Sequence, residues 1–563
     1  MNDLRSAFRS LRRAPGFTLV TIVTLSLGIG GTTAVFSVVH GILLKALPYP
    51  DPDRIVTIAE AEGASRNRRV SNPNFEDWAR AAQSFTAMAA FTGGPSAIRG
   101  GAEPVVTGVF AATRGFFDVL GVHPLIGRTF TVEEARENGT PAAVVSHSLW
   151  RRVLGSEPDL ARLSLVVEGR SAAVVGVMPA GFGFPEGADV WVPKELERDE
   201  TGRTSHNLQV VARLRPETTI AEAQAEMSAI ASRLEAQYAD DHDNPEASVE
   251  RLQDRLVGPS RRLLLVLLAA VSVVLLGACV NVASLLLARG ADRRRELAVR
   301  VAMGAPPGRL VRLLAVEHLL VAALAGAVGV ALAGVLVRAL VALAPGQLPR
   351  LGEVGLDATA VAFAVGLSVL TPLVFGMVPA LSLSRPSLRE AFAESGRGAA
   401  AGSRGRARQV LVAVQVALAL VLLCGTGLML RSLFRLLAVD SGFQPAGVIT
   451  LRTTVPGDRY PDGAAAARFY MAMLDRVAAV PGVAAAGITN APPLGGNDAD
   501  GAFLFDGQSF EEIRANWQAQ SASYRVVGGR YFDVLGIAIA RGRAFDARDA
   551  AGADPVAVIN QAM

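Results

Sequence analysis

Apolar runs and mixed segments alternate along this chain, and that alternation predicts its architecture. Five runs carry no Asp, Glu, Lys or Arg: Phe17–Val39, Leu263–Leu287, Leu319–Val337, Ala358–Leu383 and Val410–Leu430. As a helix the first measures about 34 Å at roughly 1.5 Å per residue, enough to cross a hydrocarbon layer about 30 Å thick. Five such runs in one chain predict membrane spans rather than buried helices of a soluble protein. Residues 45–262 and 435–563 read differently, and the first of these mixes short strands with helices. Ala142–Val145, Ala173–Val177 and Leu208–Val211 read as strands. Thr219 and Glu222 make a capping-box pattern. It opens a helix with Ile220, Ala223, Met227, Ile230, Leu234 and Tyr238 along one face. That stripe predicts packing on a sheet, with docking to a partner as the alternative use.

The arginines set an orientation. Arg5, Arg9, Arg12 and Arg13 precede the first run; seven arginines lie between Arg289 and Arg312, and six between Arg385 and Arg408. If every run crosses, these three segments share one side, and the positive-inside rule makes it the cytoplasm. The first apolar run is too long for the core of a signal peptide and has no A-x-A site before Leu47-Pro48, so it reads as an uncleaved anchor. The predicted fold class is a membrane α-helical bundle plus α+β extracytoplasmic domains, with five transmembrane helices. The expected division is a cytoplasmic amphipathic N-terminus (1–16), helix 1 (17–44) and an outer domain (45–262). A three-helix membrane domain (263–383), a cytoplasmic linker (384–409), helix 5 (410–434) and a second outer domain (435–563) follow.

A repeat underlies the division. Phe117-Asp118-Val119-Leu120-Gly121 recurs 415 positions later as Phe532-Asp533-Val534-Leu535-Gly536, and Gly127-Arg128-x-Phe130 as Gly542-Arg543-x-Phe545. Pro141-Ala142-Ala143-Val144-Val145 recurs, shifted by one, as Pro555-Val556-Ala557-Val558-Ile559. Matches in this order predict duplication of a unit made of one span and one outer domain. The second copy is expected to be incomplete at Met563, as in a truncated chain.

The connection 289–312 is the candidate functional segment. Leu297, Val301 and, less regularly, Met303 give it an apolar side, Glu296 and Arg300 are spaced for an i,i+4 ion pair, Gly304 stands at its end, and Pro306-Pro307 forbid continuation. A short cationic helix held between two spans suits docking on a cytosolic partner. Positive-inside charge with contacts to membrane lipid is the alternative. Met1–Arg13 reads as an interfacial amphipathic helix. Ser387 and Glu390 cap a short helix, and Gly396 to Gly405 reads as a flexible tract. Ala325, Gly329 and Ala333 form a small-residue stripe that lets two helices approach closely, and Pro372 and Pro379 predict kinks.

Composition narrows the chemistry. Hydrophobic residues make up 51% and charged residues 19%, with a net charge of +4. No nucleic-acid partner is expected. The two cysteines, Cys279 and Cys424, lie in apolar runs, which excludes a disulfide framework or a CxxC site. Lys45 and Lys194 are the only lysines and neither follows glycine, so no Walker A motif exists. No G-x-S-x-G elbow occurs, and the six histidines are scattered. The centres of the runs lack carboxylates, which argues against an ion-coupled carrier. No catalytic residue, metal site or cofactor is expected.

Asn281 to Arg289, Arg295-Glu296-Leu-Ala-Val-Arg300-Val-Ala-Met-Gly304-Ala305 and the stretch to Glu317 resemble the FtsX-like permease domain of MacB-type ABC transporters. Gly28 to Phe36 and Leu47 to Arg54 resemble the MacB-like periplasmic core module, and Gln415 to Ser432 the span opening a second permease unit. His318 after the glutamate and the double proline depart from the usual pattern. The duplication matches large permeases that lack a fused ATPase. The resemblance implies a non-catalytic permease subunit in the bacterial inner membrane, working with a cytosolic ABC ATPase that presses on the loop around Arg294, Arg295, Glu296, Arg300 and Gly304. It also implies a homodimer or an internal pseudo-dimer, and a periplasmic adaptor as a further partner. The alternative is a membrane-anchored periplasmic sensor or scaffold without ATP-driven transport.

Overall fold

The computed structural model describes residues 8–9, 11–62, 65–101, 103–136, 138–194, 202–203, 205–238, 246–292, 303, 306–343, 350, 353–383, 401–453, 455, 460, 462–495, 499–505, 507–509, 521–550 and 552–563. The chain divides into two units. Met1–Pro48 with Leu252–Leu437 forms a helical bundle, and Tyr49–Arg251 with Ala438–Met563 forms a β-rich unit.

The bundle helices are α1 (Pro15–Val39), α2 (Leu252–Asp292), α3 (Pro307–Leu343), α4 (Ala358–Leu383) and α5 (Ala401–Leu437). Among the described residues four helices are long and apolar enough to cross a membrane, within Pro15–Leu44, Ser260–Leu286, Ala315–Leu343 and Gln409–Leu437. The remaining expected run is helical as α4, and its apolar part with described side chains is Ala358–Thr371. Proline opens both α1 and α3, where its missing N–H costs nothing. Helix α2 starts at Leu252, well before its apolar run, and α5 starts at Ala401. The end of the tract read as flexible, residues 401–405, is therefore helical, because α5 propagates back from its apolar run, while 396–400 lie outside the described residues.

Small residues let α1 act as the hub. Gly30 faces α3 so closely that a Cβ there would sit 2.9 Å from the Gly329 carbonyl oxygen. Ala325 and Ala333 are fully buried, and Ser26 Oγ donates to the Ala325 carbonyl at 3.0 Å. The predicted small-residue stripe is thus the seat of α1. Gly28 is packed on Leu275 and Ala278 of α2, and Thr32 Oγ1 donates to the Gly28 carbonyl at 2.8 Å and the Val271 carbonyl at 3.3 Å. Phe36 stacks on Phe363 of α4 with centroids 4.0 Å apart. Gly326 leaves room for Ser368 of α4, whose Oγ donates to the Ala364 carbonyl. By contrast α5 is exposed over its apolar run and meets α2 through the Gln415–Asn281 hydrogen bond.

The first part of the β-rich unit is built on one sheet. Its strands are β1 (Ile55–Glu62), β2 (Ser65–Arg68), β3 (Val70–Ser71), β4 (Phe85–Arg99), β5 (Val105–Ala112), β6 (Ile126–Gly127), β7 (Ala142–Val145), β8 (Ser164–Val167), β9 (Arg170–Val177), β10 (Ala188–Pro193), β11 (His206–Leu214) and β12 (Glu246–Arg251). The main path runs β12-β1-β11-β4-β5-β10-β7-β9-β6. The first and last strands are antiparallel neighbours, with Val56 opposite Arg251 and Ala61 opposite Glu246. The predicted strands lie within β7, β9 and β11. The capping box forms as read: Thr219 Oγ1 accepts from the Glu222 amide while the Glu222 carboxylate accepts from the Thr219 amide. Ala223, Met227, Ile230 and Leu234 of that helix join Val56, Ile58, Val210 and Val249 in one core, so the stripe covers the sheet. A second core lies between β7, β8, β9 and the helix His147–Arg152.

Both copies of the repeat adopt one local geometry. A short helix ends at a glycine in the left-handed region, Gly121 (φ 67°) and Gly536 (φ 64°). Such a helix end favours glycine because no Cβ clashes there. Arg128 forks onto Glu134 with bonds of 2.8 and 2.7 Å, and Arg543 onto Asp549 with bonds of 2.6 and 2.7 Å. The carboxylates also accept from the Thr131 and Asp546 amides. Phe117 meets Phe130, and Phe532 meets Phe545, at 6.0 and 6.1 Å.

Candidate functional site

The predicted coupling residues Arg294, Arg295, Glu296, Arg300 and Gly304 lie outside the described residues. So do Met1 to Ala7 and Ser387 to Phe392. Their flanks are described: α2 enters the connection, α3 leaves it, and Met303 is exposed. Glu317, near the start of α3, is buried.

At the other end of the bundle, where α1 gives way to the β-rich unit, the structure assembles a polar collar that the sequence did not single out. Helix α1 widens into a π-turn over His40–Leu44 and closes with the Lys45 amide donating to the His40 carbonyl at 2.7 Å. A helix end leaves carbonyls without partners. Arg350, between α3 and α4, supplies donors: Nη1 to the carbonyls of Lys45 at 2.8 Å and Ile42 at 3.4 Å, and Nη2 to that of Ala46 at 3.1 Å. Glu353 holds the guanidinium from the other side, at 3.1 Å from Nε and 2.8 Å from Nη2. Gln253, at the start of α2, donates to the carbonyls of Leu43 at 3.0 Å and Lys45 at 3.3 Å. His40 Nδ1 lies 3.3 Å from Asp357, which also caps α4 through the Ala360 amide at 2.8 Å. Gly41 permits the close approach, since a Cβ there would meet Val354 at 3.3 Å. Two segments far apart in sequence, at Gln253 and at Arg350–Glu353, thus converge on Ile42–Ala46. In the sequence Arg350 had only the i,i+3 spacing to Glu353 as a signal.

The β-rich unit carries two satisfied polar clusters. Glu60 is fully buried and accepts from the Ser71 amide at 3.2 Å and Asn74 Nδ2 at 2.8 Å, with His206 Nδ1 at 2.7 Å. Arg203 bonds Asn74 and Asp77 and lies over the Tyr238 ring at 3.7 Å. Asp189 gathers Ser146, Ser148 at 2.9 Å, Thr107 at 2.6 Å and Arg152 at 3.2 Å. Burial alone would raise its carboxyl pKa; those hydroxyls and Arg152 outweigh it and hold it below the usual range. Glu134 is likewise depressed, chiefly by the Arg128 fork, against the opposing effect of burial. These groups tie loops and helix ends to the sheet. Among the described residues no group of three or more His, Cys, Asp or Glu is placed to hold a metal ion, and the two cysteines are free.

Known proteins match both units. The family model of the MacB-like periplasmic core domain matches residues 18–230, and that of the FtsX-like permease C-terminal matches residues 268–388. The macrolide export ATP-binding/permease protein MacB of Burkholderia lata is 26% identical over 273 residues, covering 48% of this chain and 38% of that protein. Its namesake in Escherichia coli (strain K12) is 26% identical over 277 residues, covering 48% and 41%. The chain thus spans about two fifths of the length of the curated relatives it matches. Among solved structures, the periplasmic region of MacB from Actinobacillus actinomycetemcomitans aligns at 11% identity with a TM-score of 0.29, covering 40% of this chain and 97% of that one. The extracellular domain of the noncanonic ABC-type transporter YknZ from Gram-positive bacteria aligns at 13% identity with a TM-score of 0.26, covering 35% and 99%. A core-domain match followed by a permease match, with MacB proteins among its relatives, places this chain in the family of MacB/FtsX-like ABC permeases.

Proposed function

We propose that this chain is the non-catalytic permease subunit of an ABC-type export or mechanotransmission system. The observation that carries the reading is the FtsX-like match over 268–388, which encloses the arginine-rich connection between α2 and α3. A separate cytosolic ABC ATPase docks on 289–312, with Arg294, Arg295 and Arg300 as cationic contacts, Glu296 orienting Arg300, and Gly304 ending the docking helix. ATP-driven closure of that partner tilts the bundle and moves the β-rich unit, which lies outside the inner membrane while the N-terminus is cytoplasmic. Lack of a Walker A motif in these residues fits hydrolysis in the partner. In this reading residues 45–262 and 435–563 are outer domains, 263–383 is the permease domain and 384–409 is a cytoplasmic linker. The assembly is a homodimer or internal pseudo-dimer that works with a periplasmic adaptor.

The test is affinity copurification from native membranes with the intact loop and with Arg295, Glu296 and Arg300 changed to alanine. Recovery of an ATPase with the intact loop alone is the expected outcome. Recovery of no ATPase from either form refutes the subunit reading in favour of a sensor or scaffold.

A further inference from the structure

We propose that Arg350 is the positioning residue that ties α4 to the point where α1 leaves the bundle, so that displacement of α4 reaches Lys45–Pro48 and, through the chain, the β-rich unit. The inference rests on the transport reading only for the origin of the displacement. The clamp itself stands on geometry. The side chain of Arg350 is only 7% exposed, and its φ of 60° is a left-handed conformation that is strained for an arginine. A surface arginine gains nothing from either. Here both deliver the planar fork to the carbonyls of Ile42, Lys45 and Ala46 while Glu353 neutralises it. The Lys45 and Ala46 carbonyls follow the π-turn and that of Ile42 lies within it, at a helix end that leaves carbonyls without partners.

The connection is directional. Residues 353–357 run from this clamp into α4, and Asp357 both caps α4 and pairs with His40. Chain connectivity gives α1 and α2 direct links to the β-rich unit at Pro48 and Leu252, whereas α3 and α4 have none. Arg350 and the Asp357–His40 pair tie the segment that leads into α4 to the end of α1, within the bundle. Arginine suits the task because its fork reaches several carbonyls at fixed angles, while a lysine supplies a single mobile charge. Gln253 holds the neighbouring carbonyls of Leu43 and Lys45 from α2, so the segment is gripped from both sides.

Hydrogen–deuterium exchange on the full chain in lipid nanodiscs tests the clamp first. Arg350→Ala should speed exchange over residues 40–46 about tenfold or more, the equivalent of one lost charge-assisted hydrogen bond. Arg350→Lys should fall between, and Gln253→Ala should loosen the same segment less. If Arg350→Ala does not fold, the other two variants carry the measurement. Unchanged exchange over 40–46 in every variant that folds overturns the clamp. The second arm adds the copurified ATPase and ATP. The Arg350→Ala chain should still bind the ATPase, yet lose the nucleotide-dependent change in exchange over residues 49–251 shown by the unmodified chain. Retention of that change overturns the transmitting role. If the unmodified chain recruits no ATPase, the transport reading and with it the transmitting role fail, while the first arm still decides the clamp.

Discussion

The two copies of the repeat are one motif in two settings. In the first, Phe117, Val119, Leu120 and Phe130 are buried, and Ala142–Val145 is a strand between β9 and β10. In the second, the left-handed glycine, the forked arginine and the aromatic pair all recur, yet Val556 and Ile559 are exposed and 556–559 pairs with no strand among the described residues. Apolar residues of the two outer segments differ in burial elsewhere too. Ile55 and Ile58 of β1 are buried between β11 and β12, whereas Ile449 and Leu451 are 86% and 82% exposed. Local geometry follows from a few residues at fixed spacing, while burial follows from strands supplied by distant sequence. Bond geometry alone is therefore a poor guide to how much a motif stabilises.

Paired substitutions sharpen this contrast. The largest difference should come from Phe117→Ala, a fully buried aromatic whose loss costs about 3–5 kcal/mol, against Phe532→Ala, which is half-buried and should cost far less. Hydrogen exchange over 116–193 and over 531–549 reads the two separately. Similar losses would dissolve the distinction. Next, Gly30→Ala should destabilise the bundle by about 1–3 kcal/mol, because the new methyl meets the Gly329 carbonyl. Gly425→Ala on α5 meets nothing within 4 Å and should leave thermal unfolding in detergent unchanged. A smaller effect is expected for Glu134→Ala, about 1–2 kcal/mol once the half-exposed Arg128 end is discounted. Its counterpart Asp549→Ala should produce no measurable shift.

Acid gives the gentlest probe. Folding holds the Glu134 and Asp189 carboxyls below their ordinary values, so the unfolded chain binds protons first as pH falls. Their contribution is complete above the ordinary carboxylate range, roughly pH 4 to 5, and declines as pH drops through the folded values. Protection over 49–251, taken relative to the intrinsic exchange rate at each pH, should fall on acidification. Glu134→Gln should flatten part of that dependence. An unchanged profile in the variant would show that Glu134 is not among the groups responsible.

What could be read from sequence follows the range of each interaction. The capping box at Thr219 and Glu222, the apolar stripe behind it and the small-residue stripe on α3 depend on neighbours one or two turns away, and all were legible. The collar was not. Arg350 meets carbonyls about 300 positions earlier, and carbonyls leave no trace in side-chain patterning. The early start of α2 at Leu252 was hidden because its first turns are polar, though they continue a helix begun in an apolar run. The offset repeat was visible since it needs only matching spacings, but its unequal burial was not.

The antiparallel pairing of β1 with β12 has a mechanical consequence. The chain enters the sheet at one of these strands and returns to the bundle from the other, with Val56 beside Arg251 at that end. Pulling Pro48 and Leu252 apart loads this ladder as a zipper, one hydrogen bond at a time, its weakest mode. Moving them together loads no rung of the ladder. Tilting of α1 and α2 in step is thus the motion this attachment tolerates, and splaying them is the one it resists least and survives worst.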